Sequence, residues 1–205
     1  MSTSCCRGFK HPRTALLVPF WHGTLGDKFL FVHVMRDGKD IVEGDNQKVF
    51  DDHCPLYYGR ACDSSLRQRL EFWADLNRDI FNYALQSSMK SNQYLAVRIE
   101  DLVVGNEACF RRIAAFVGIS KNEADKLVPI AIEANKGHAG SYFGRKWTPQ
   151  TKTNVEKKAR LDEVAKSALA FWGYDTDAYD FTLGCEELPW LSQMRKAKGP
   201  LPGDE

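Results

Sequence analysis

A charged run directly follows the most apolar strand-like segment of the chain. Residues 29–35 are mostly apolar without alternation, which is typical of a strand buried on both faces of a parallel sheet. Arg36 follows, and Asp37-Gly38 forms a turn before a helical pattern that extends from Lys39 to about Val49. A guanidinium beside free helix N–H groups can bind an anion. The pattern therefore favours an anion site at Arg36, with a surface turn holding an Arg–Asp pair as the alternative.

The elements around this candidate site follow from hydrophobic periodicity. A second apolar strand is predicted over 94–99, and helical stripes predict helices over 65–89, 107–117, 121–134 and 155–172. Residues 50–64 are rich in Asp, Pro and Gly and are predicted to form an irregular excursion. Strands that alternate with helices imply an α/β fold with a mainly parallel sheet, in which ligands bind at the carboxyl ends of the strands.

Composition narrows the class of protein. A chain of 205 residues is long enough for one domain with a real core, and its net charge of +1 argues against nucleic acid as a partner. We expect no membrane span, because no segment is long and apolar enough. The six cysteines lack the spacing of a metal site. Cys54 and Cys62 could pair in an oxidising compartment, with free cytosolic thiols as the alternative.

Several segments together resemble the sulfotransferases that use 3′-phosphoadenylyl sulfate (PAPS). Residues 29–47 resemble the segment of that family that binds the 3′-phosphate of the nucleotide. Four further segments are similar to family motifs in the same order: Gly8-Phe-Lys-His-Pro-Arg13, Tyr94 to Leu102, Gly144-Arg-Lys-Trp147 and Phe171-Trp-Gly-Tyr174. The resemblance covers residues 8–175, which we expect to form a partial sulfotransferase-like domain. Residues 176–205 are predicted to be a loosely packed tail.

The resemblance implies a fold and a reaction. The fold would be a P-loop NTPase-like three-layer sandwich with a mainly parallel sheet. The reaction would transfer a sulfuryl group from PAPS, the co-substrate, to an unknown hydroxyl or amine acceptor without a metal. Such an in-line displacement needs a base for the acceptor, cations on the moving group and a grip on the leaving nucleotide.

The same resemblance assigns candidate roles. Arg36 would bind the 3′-phosphate, and Arg145 with Lys146 would cover that end of the nucleotide. Lys10 would be the cation at the sulfuryl group and His11 the catalytic base, although exposed side chains without a role are the alternative for both. His33 lies in mid-strand, where a hydrogen-bonded core histidine is the preferred interpretation.

Two departures from the family pattern affect these expectations. Gly44 stands where the family places a Ser that contacts the 3′-phosphate, so Asn46 or a backbone N–H would have to replace that contact. The chain also has no Lys-x-Gly-Thr loop for the 5′-phosphosulfate, which predicts an N-terminally truncated form. Two functions stay open: a sulfotransferase in its complete form, or a non-catalytic remnant that binds nucleotides or partners. Two compartments also stay open, the cytoplasm for the chain as given and the Golgi lumen for a truncated one.

Overall fold

Two parallel strands packed against helices form the centre of the structure. The computed structural model describes residues 8–44, 46–143, 166–174 and 188–201. Strand β1 (Phe31–Met35) pairs with β2 (Tyr94–Arg98) in parallel, with Phe31 opposite Tyr94. Both strands were predicted from their apolar runs, and both are confirmed. The described fold is mixed α/β and mostly helical, with this two-stranded parallel sheet.

Helices fill the rest of the described chain. Short 3₁₀ helices at Pro12–Leu17 and Gly26–Lys28 flank α1 (Val18–Leu25) before β1. The helices that follow are α2 (Gly38–Glu43), α3 (Lys48–Tyr58), α4 (Leu66–Gln86), α5 (Ile99–Val103), α6 (Glu107–Phe116), α7 (Lys121–Phe143), α8 (166–171) and α9 (Pro189–Lys198).

The longest predicted amphipathic helix, α4, covers one face of the sheet. Its N-terminus is capped by the Ser65 hydroxyl, which accepts a 3.1 Å hydrogen bond from the Gln68 N–H. Leu70, Trp73 and Phe81 recur at helical spacing and are buried in the main core with the strand residues. The helix predicted over 65–89 is confirmed, with its last turn ending at Gln86.

Two predictions between β1 and α4 are wrong. The helix after Arg36 ends at Glu43 rather than near Val49, and the side-chain amide of Gln47 donates to the Ile41 carbonyl at its end. The irregular excursion predicted over 50–64 is helical as far as Tyr58. The helix α3 tolerates Pro55 because Phe50 and Cys54 are buried against Phe72. Packing of this apolar face outweighs the local helix-breaking preference.

Disulfides fix part of this region. Cys54 and Cys62 are joined, with their Cα atoms 6.2 Å apart, so the pairing that the sequence left open is present. The bond ties α3 to the segment that leads into α4. Cys109 of α6 is disulfide-bonded as well.

The expectation of a loosely packed C-terminal tail is wrong for 188–201. Leu188, Trp190, Leu191 and Met194 are buried in the main core, and α9 contributes three of them. The division of the chain near residue 175 stays a prediction. Of the helix predicted over 155–172, residues 166–171 are helical and 155–165 lie outside the described residues.

Candidate functional site

Arg36 lies where the sequence predicts it, directly after β1 at the carboxyl end of the parallel pair. Its side chain is 43% exposed and forms a 3.4 Å ion pair with Asp40, one turn further along α2. The indole N–H of Trp73 donates a 3.1 Å hydrogen bond to the Arg36 carbonyl. The backbone that carries the guanidinium is therefore anchored to α4, while the guanidinium itself reaches solvent.

The expectation of free N–H groups at the start of α2 is wrong for two of them. The Asp37 carboxylate caps the helix and accepts a 2.8 Å hydrogen bond from the Lys39 N–H. The N–H of Asp37 itself donates 2.8 Å to Oε1 of Glu100. Protein carboxylates thus occupy these donors, and the capacity to bind an anion at this end of β1 rests mainly on the Arg36 side chain.

A buried acidic cluster supports the turn beneath Arg36. Asp37 and Glu100 are both buried, and the Tyr174 hydroxyl donates a 3.0 Å hydrogen bond to Oε2 of Glu100. Burial raises the pKa of Asp37 to about 7, with a smaller increase from the nearby charge of Glu100. The carboxyl group of Asp37 is therefore only partly ionised near neutral pH.

A buried ion pair lies next to this cluster. Arg98, the last residue of β2, is bonded to Asp101 through its Nε and Nη2 at 2.7 and 2.9 Å, and its Nη1 donates to the Gly173 carbonyl. Glu100 and Asp101 thus hold together the segments after β2, which is a structural role. The Arg98–Asp101 pair is local, whereas the contact with the Gly173 carbonyl joins segments 75 residues apart and has no signal in a local motif.

A cleft of about 260 Å³ lies between β1, α2, α3 and α4, with one side formed by the 3₁₀ helix at Pro12 and Ala15. Its walls are aromatic and aliphatic, and none of its described lining residues is acidic. Two guanidinium groups line it, those of Arg36 and Arg69. Arg69 was not predicted as a site residue, because it lies among the other charged residues of an amphipathic helix and no local motif marks it.

His33 lies beside the cleft and is a satisfied core histidine, as predicted. The Asn77 side-chain N–H group donates to the Trp73 carbonyl, which turns Asn77 Oδ1 toward His33 Nε2 at 2.8 Å. Nε2 therefore carries the ring proton, and Nδ1 accepts a 2.9 Å hydrogen bond from the Tyr94 hydroxyl. Burial lowers the pKa of His33 to about 4, so the ring is neutral at pH 7.

Two other predicted site residues, Lys10 and His11, lie at the start of the described chain. Lys10 and His11 are exposed and precede the Pro12 helix at the edge of the cleft. His11 caps that helix through Nδ1, which accepts a 3.1 Å hydrogen bond from the Arg13 N–H. Neutral His11 then carries its proton on Nε2, and action as a base requires release of this cap.

Gly44 follows α2 at its C-terminal end, whereas Arg36 precedes the N-terminal end of the same helix. Its extended backbone (φ −67°, ψ 150°) suits any residue. Arg145 and Lys146 lie outside the described residues.

Neither a metal centre nor a membrane span is evident in the described parts of the chain. No group of three or more His, Cys, Asp or Glu residues is arranged there to hold a metal ion. No helix among these residues has the length and apolar character required to cross a bilayer. Compared with models of known families, with curated proteins and with solved structures, the chain matches none at a significant level.

Proposed function

We propose that this chain is a PAPS-dependent sulfotransferase in its complete form and that Arg36 binds the 3′-phosphate of the nucleotide. The observation that carries the proposal is the position of Arg36. It follows β1 at the carboxyl end of a parallel strand pair, the usual ligand side of such sheets, and its guanidinium is partly exposed beside the cleft. A P-loop NTPase-like three-layer sandwich is the fold that accompanies this proposal.

The reaction would be an in-line displacement at sulfur. The acceptor oxygen or nitrogen forms a bond to sulfur while the bond from sulfur to the 5′-phosphate breaks, and the acceptor proton passes to a base. Lys10 and His11 are the proposed cation and base. The Pro12 helix that follows them lines the same cleft as Arg36, which supports a shared site. Arg145 and Lys146 are proposed to cover the 3′-phosphate with Arg36.

Titration calorimetry tests the nucleotide site. We expect 3′,5′-diphosphoadenosine to bind more tightly than 5′-AMP, because only the former carries the 3′-phosphate. Arg36→Ala should weaken binding of the diphosphate by about 1.5 kcal/mol, or tenfold, the lower end for a charge-assisted contact because Arg36 is partly exposed. Arg67→Ala is the matched control, since Arg67 is exposed on α4 and pairs with Glu71. Equal affinities for the two nucleotides would contradict the proposal.

The second candidate is a non-catalytic nucleotide-binding or interaction module. The observation that favours it is the occupation of two donors at the start of α2 by the carboxylates of Asp37 and Glu100. Transfer of labelled sulfate from PAPS to phenols, sugars and peptides separates the two candidates. Nucleotide binding without transfer by the complete protein supports the module, and turnover that Arg36→Ala abolishes supports the enzyme.

We also propose that the protein resides in an oxidising compartment such as the Golgi lumen rather than in the cytoplasm. The disulfide between Cys54 and Cys62 supports this location, because the cytosol keeps most thiols reduced. Alkylation of free thiols in protein isolated under acid quench, followed by mass spectrometry, provides the test. Quantitative alkylation of both cysteines in the native protein would assign it to a reducing compartment.

A further inference from the structure

We propose that the cleft beside β1 binds a small aromatic anion and that Arg69 holds its negative group. This inference goes beyond the nucleotide site proposed above, since it concerns a different guanidinium and requires no phosphate on Arg36. Three observations carry it: the lack of a carboxylate partner for Arg69 among the described residues, the apolar walls of the cleft and the absence of acidic residues from its described lining.

Arg69 differs from the other described arginines of α4. Arg67 pairs with Glu71 and Arg78 pairs with Asp75, whereas no carboxylate among the described residues lies within ion-pair distance of Arg69. Its Nε is buried and has no hydrogen-bond partner. The Arg69 guanidinium thus lacks a carboxylate partner among the described residues, and an anion in the cleft would supply one.

The contacts that Arg69 does make leave its charge available. Its guanidinium carbon lies 5.8 Å from the centroid of the Phe50 ring, so the group stacks over the aromatic wall of the cleft. Its Nη1 is 3.4 Å from the Val42 carbonyl, at the limit of a hydrogen bond. The end of α2 does not depend on this contact, because the Gln47 side chain also donates to carbonyl groups there, at 2.8 Å for Ile41.

The walls of the cleft indicate that the part of the ligand outside its negative group is apolar and aromatic. Phe50, Phe72 and Trp73 supply aromatic surface, and aliphatic side chains such as Leu76 and Ile80 complete it. His33 and Asn77 also line the cleft, but their polar atoms are bonded to other protein groups, so they offer little to a polar ligand. A volume of about 260 Å³ is just below the usual range for ligand pockets and suits one or two fused rings.

Charge complementarity determines the sign of the charge that the ligand carries. Among the described lining residues the two ionised groups are guanidinium groups, and Arg36 already pairs with Asp40. A planar anion could place its ring against the aromatic wall and its carboxylate or sulfonate on the fork of Arg69. The chemistry therefore favours an aryl carboxylate or aryl sulfonate over a neutral or cationic aromatic compound.

The experiment compares 2-naphthoate with 2-naphthamide, which share their shape and differ in charge. Calorimetry on the full chain should give about tenfold tighter binding of naphthoate in the wild type. The preference should persist in Arg67→Met and disappear in Arg69→Met. Equal binding of both compounds, or binding of neither, would overturn the inference. Loss of the preference in Arg36→Met alone would move the anion to the proposed nucleotide site and overturn the role of Arg69.

A second measurement does not depend on the folding of the Arg69→Met variant. The ¹H–¹⁵N signal of the Arg69 Nε–H, assigned by its loss in Arg69→Lys, should shift with naphthoate and not with naphthamide. An unchanged signal at saturating naphthoate would overturn the assignment. A second copy of the chain is the alternative occupant of the cleft, and sedimentation velocity on the same samples tests it. A stable dimer that excludes naphthoate would assign the cleft to the second copy and overturn the inference.

Discussion

The backbone N–H of Asp37 donates a 2.8 Å hydrogen bond to Oε1 of Glu100 and joins the turn after β1 to the helix after β2. The other oxygen of Glu100 accepts a 3.0 Å bond from the Tyr174 hydroxyl, so one buried carboxylate connects three segments of the chain. This connection determines the position of the backbone on which Arg36 is mounted. The structure around the candidate site therefore depends on the ionisation of buried acids.

The pH dependence of stability tests this conclusion through Asp37. Burial raises its pKa from 3.8 to about 7, so between these values the folded chain holds a proton that the unfolded chain has released. This group therefore makes wild-type stability fall as pH rises through that window. Asp37→Asn keeps a capping side chain and should gain stability relative to the wild type from pH 4 to pH 8, by at most roughly 4 kcal/mol.

Urea unfolding at a series of pH values measures that difference. His33 acts in the opposite sense, because its pKa is lowered from 6.5 to about 4 and its contribution increases stability as pH rises between these values. Both proteins contain His33, so the difference between them isolates Asp37. A difference that stays constant from pH 4 to pH 8 would show that Asp37 is not protonated in the folded state.

Gly38 is required because α4 approaches the turn closely. A Cβ atom at this position would lie 2.6 Å from two ring atoms of Trp73 and 2.9 Å from Leu70. Gly38→Ala should therefore lower the free energy of unfolding by about 1–3 kcal/mol. Gly23→Ala in α1 is the control: no neighbour lies within 4 Å of its Cβ, and a helical position should gain up to about 1 kcal/mol. Similar losses in both variants would contradict the close packing.

The disulfide between Cys54 and Cys62 should stabilise the wall of the cleft. It closes a loop with a sequence separation of 8, for which chain entropy predicts a contribution of about 2.5 kcal/mol. Replacement of both cysteines by Ala should reduce the free energy of unfolding by at least this amount, because Cys54 is also fully buried beside Phe50 and Phe72. Thermal unfolding followed by circular dichroism measures the loss, and an unchanged midpoint would contradict it.

The sequence predicted the centre of this fold better than its periphery. The strands and α4 carry long, regular apolar patterns that local reading detects. In contrast, α3 contains Pro55 and acidic residues typical of turns, and it is helical because its apolar side packs on Phe72. The helix α9 had recognisable signals, Pro189 in its first turn and Gly199 after its last, and these were outweighed by the Pro-rich and Gly-rich composition around them.

The candidate site likewise has one part that the sequence predicts and another part that only the folded structure shows. The position of Arg36 follows from one short segment, because a parallel strand delivers its next residue to the edge of the sheet. The contacts that hold the Asp37 backbone do not follow from that segment. Glu100, which accepts from the Asp37 N–H, and Tyr174, which donates to Glu100, are distant in sequence and meet only through packing of the segments that follow β2. For the same reason, the sequence does not show that Arg69 lacks a carboxylate partner among the described residues; only the folded structure shows this.

Gly44 offers a gain-of-function test of the proposed nucleotide site. A Cβ atom there would lie 3.4 Å from the Asp40 and Ile41 carbonyl oxygens, an ordinary contact, so Ser fits the backbone. If Gly44 replaces a phosphate-binding Ser, Gly44→Ser should tighten binding of 3′,5′-diphosphoadenosine by about 0.5–1.5 kcal/mol. Gly44→Ala adds the same Cβ without the hydroxyl and is the control in calorimetry. An equal effect of Ala and Ser would exclude a hydroxyl contact.

The open edge of β1 should make the chain self-associate. Phe31 donates to the Gln93 carbonyl, so in a parallel ladder the backbone groups of Val32 and Val34 point away from β2, and no described residue bonds them. The Val34 side chain is 52% exposed beside this edge. Unpaired edges of this kind pair with other chains, and a lysine on the edge opposes that pairing.

Val34→Lys should therefore reduce association and leave the free energy of unfolding within about 1 kcal/mol of the wild-type value. Sedimentation velocity over a range of concentrations measures the association, and urea unfolding measures the stability. Val104→Lys is the matched control, because Val104 is equally apolar, 56% exposed and placed at the end of α5, away from this edge. If both lysine variants reduce association equally, charge alone accounts for the effect; if the wild type stays monomeric at every concentration, the edge is protected by another part of the chain.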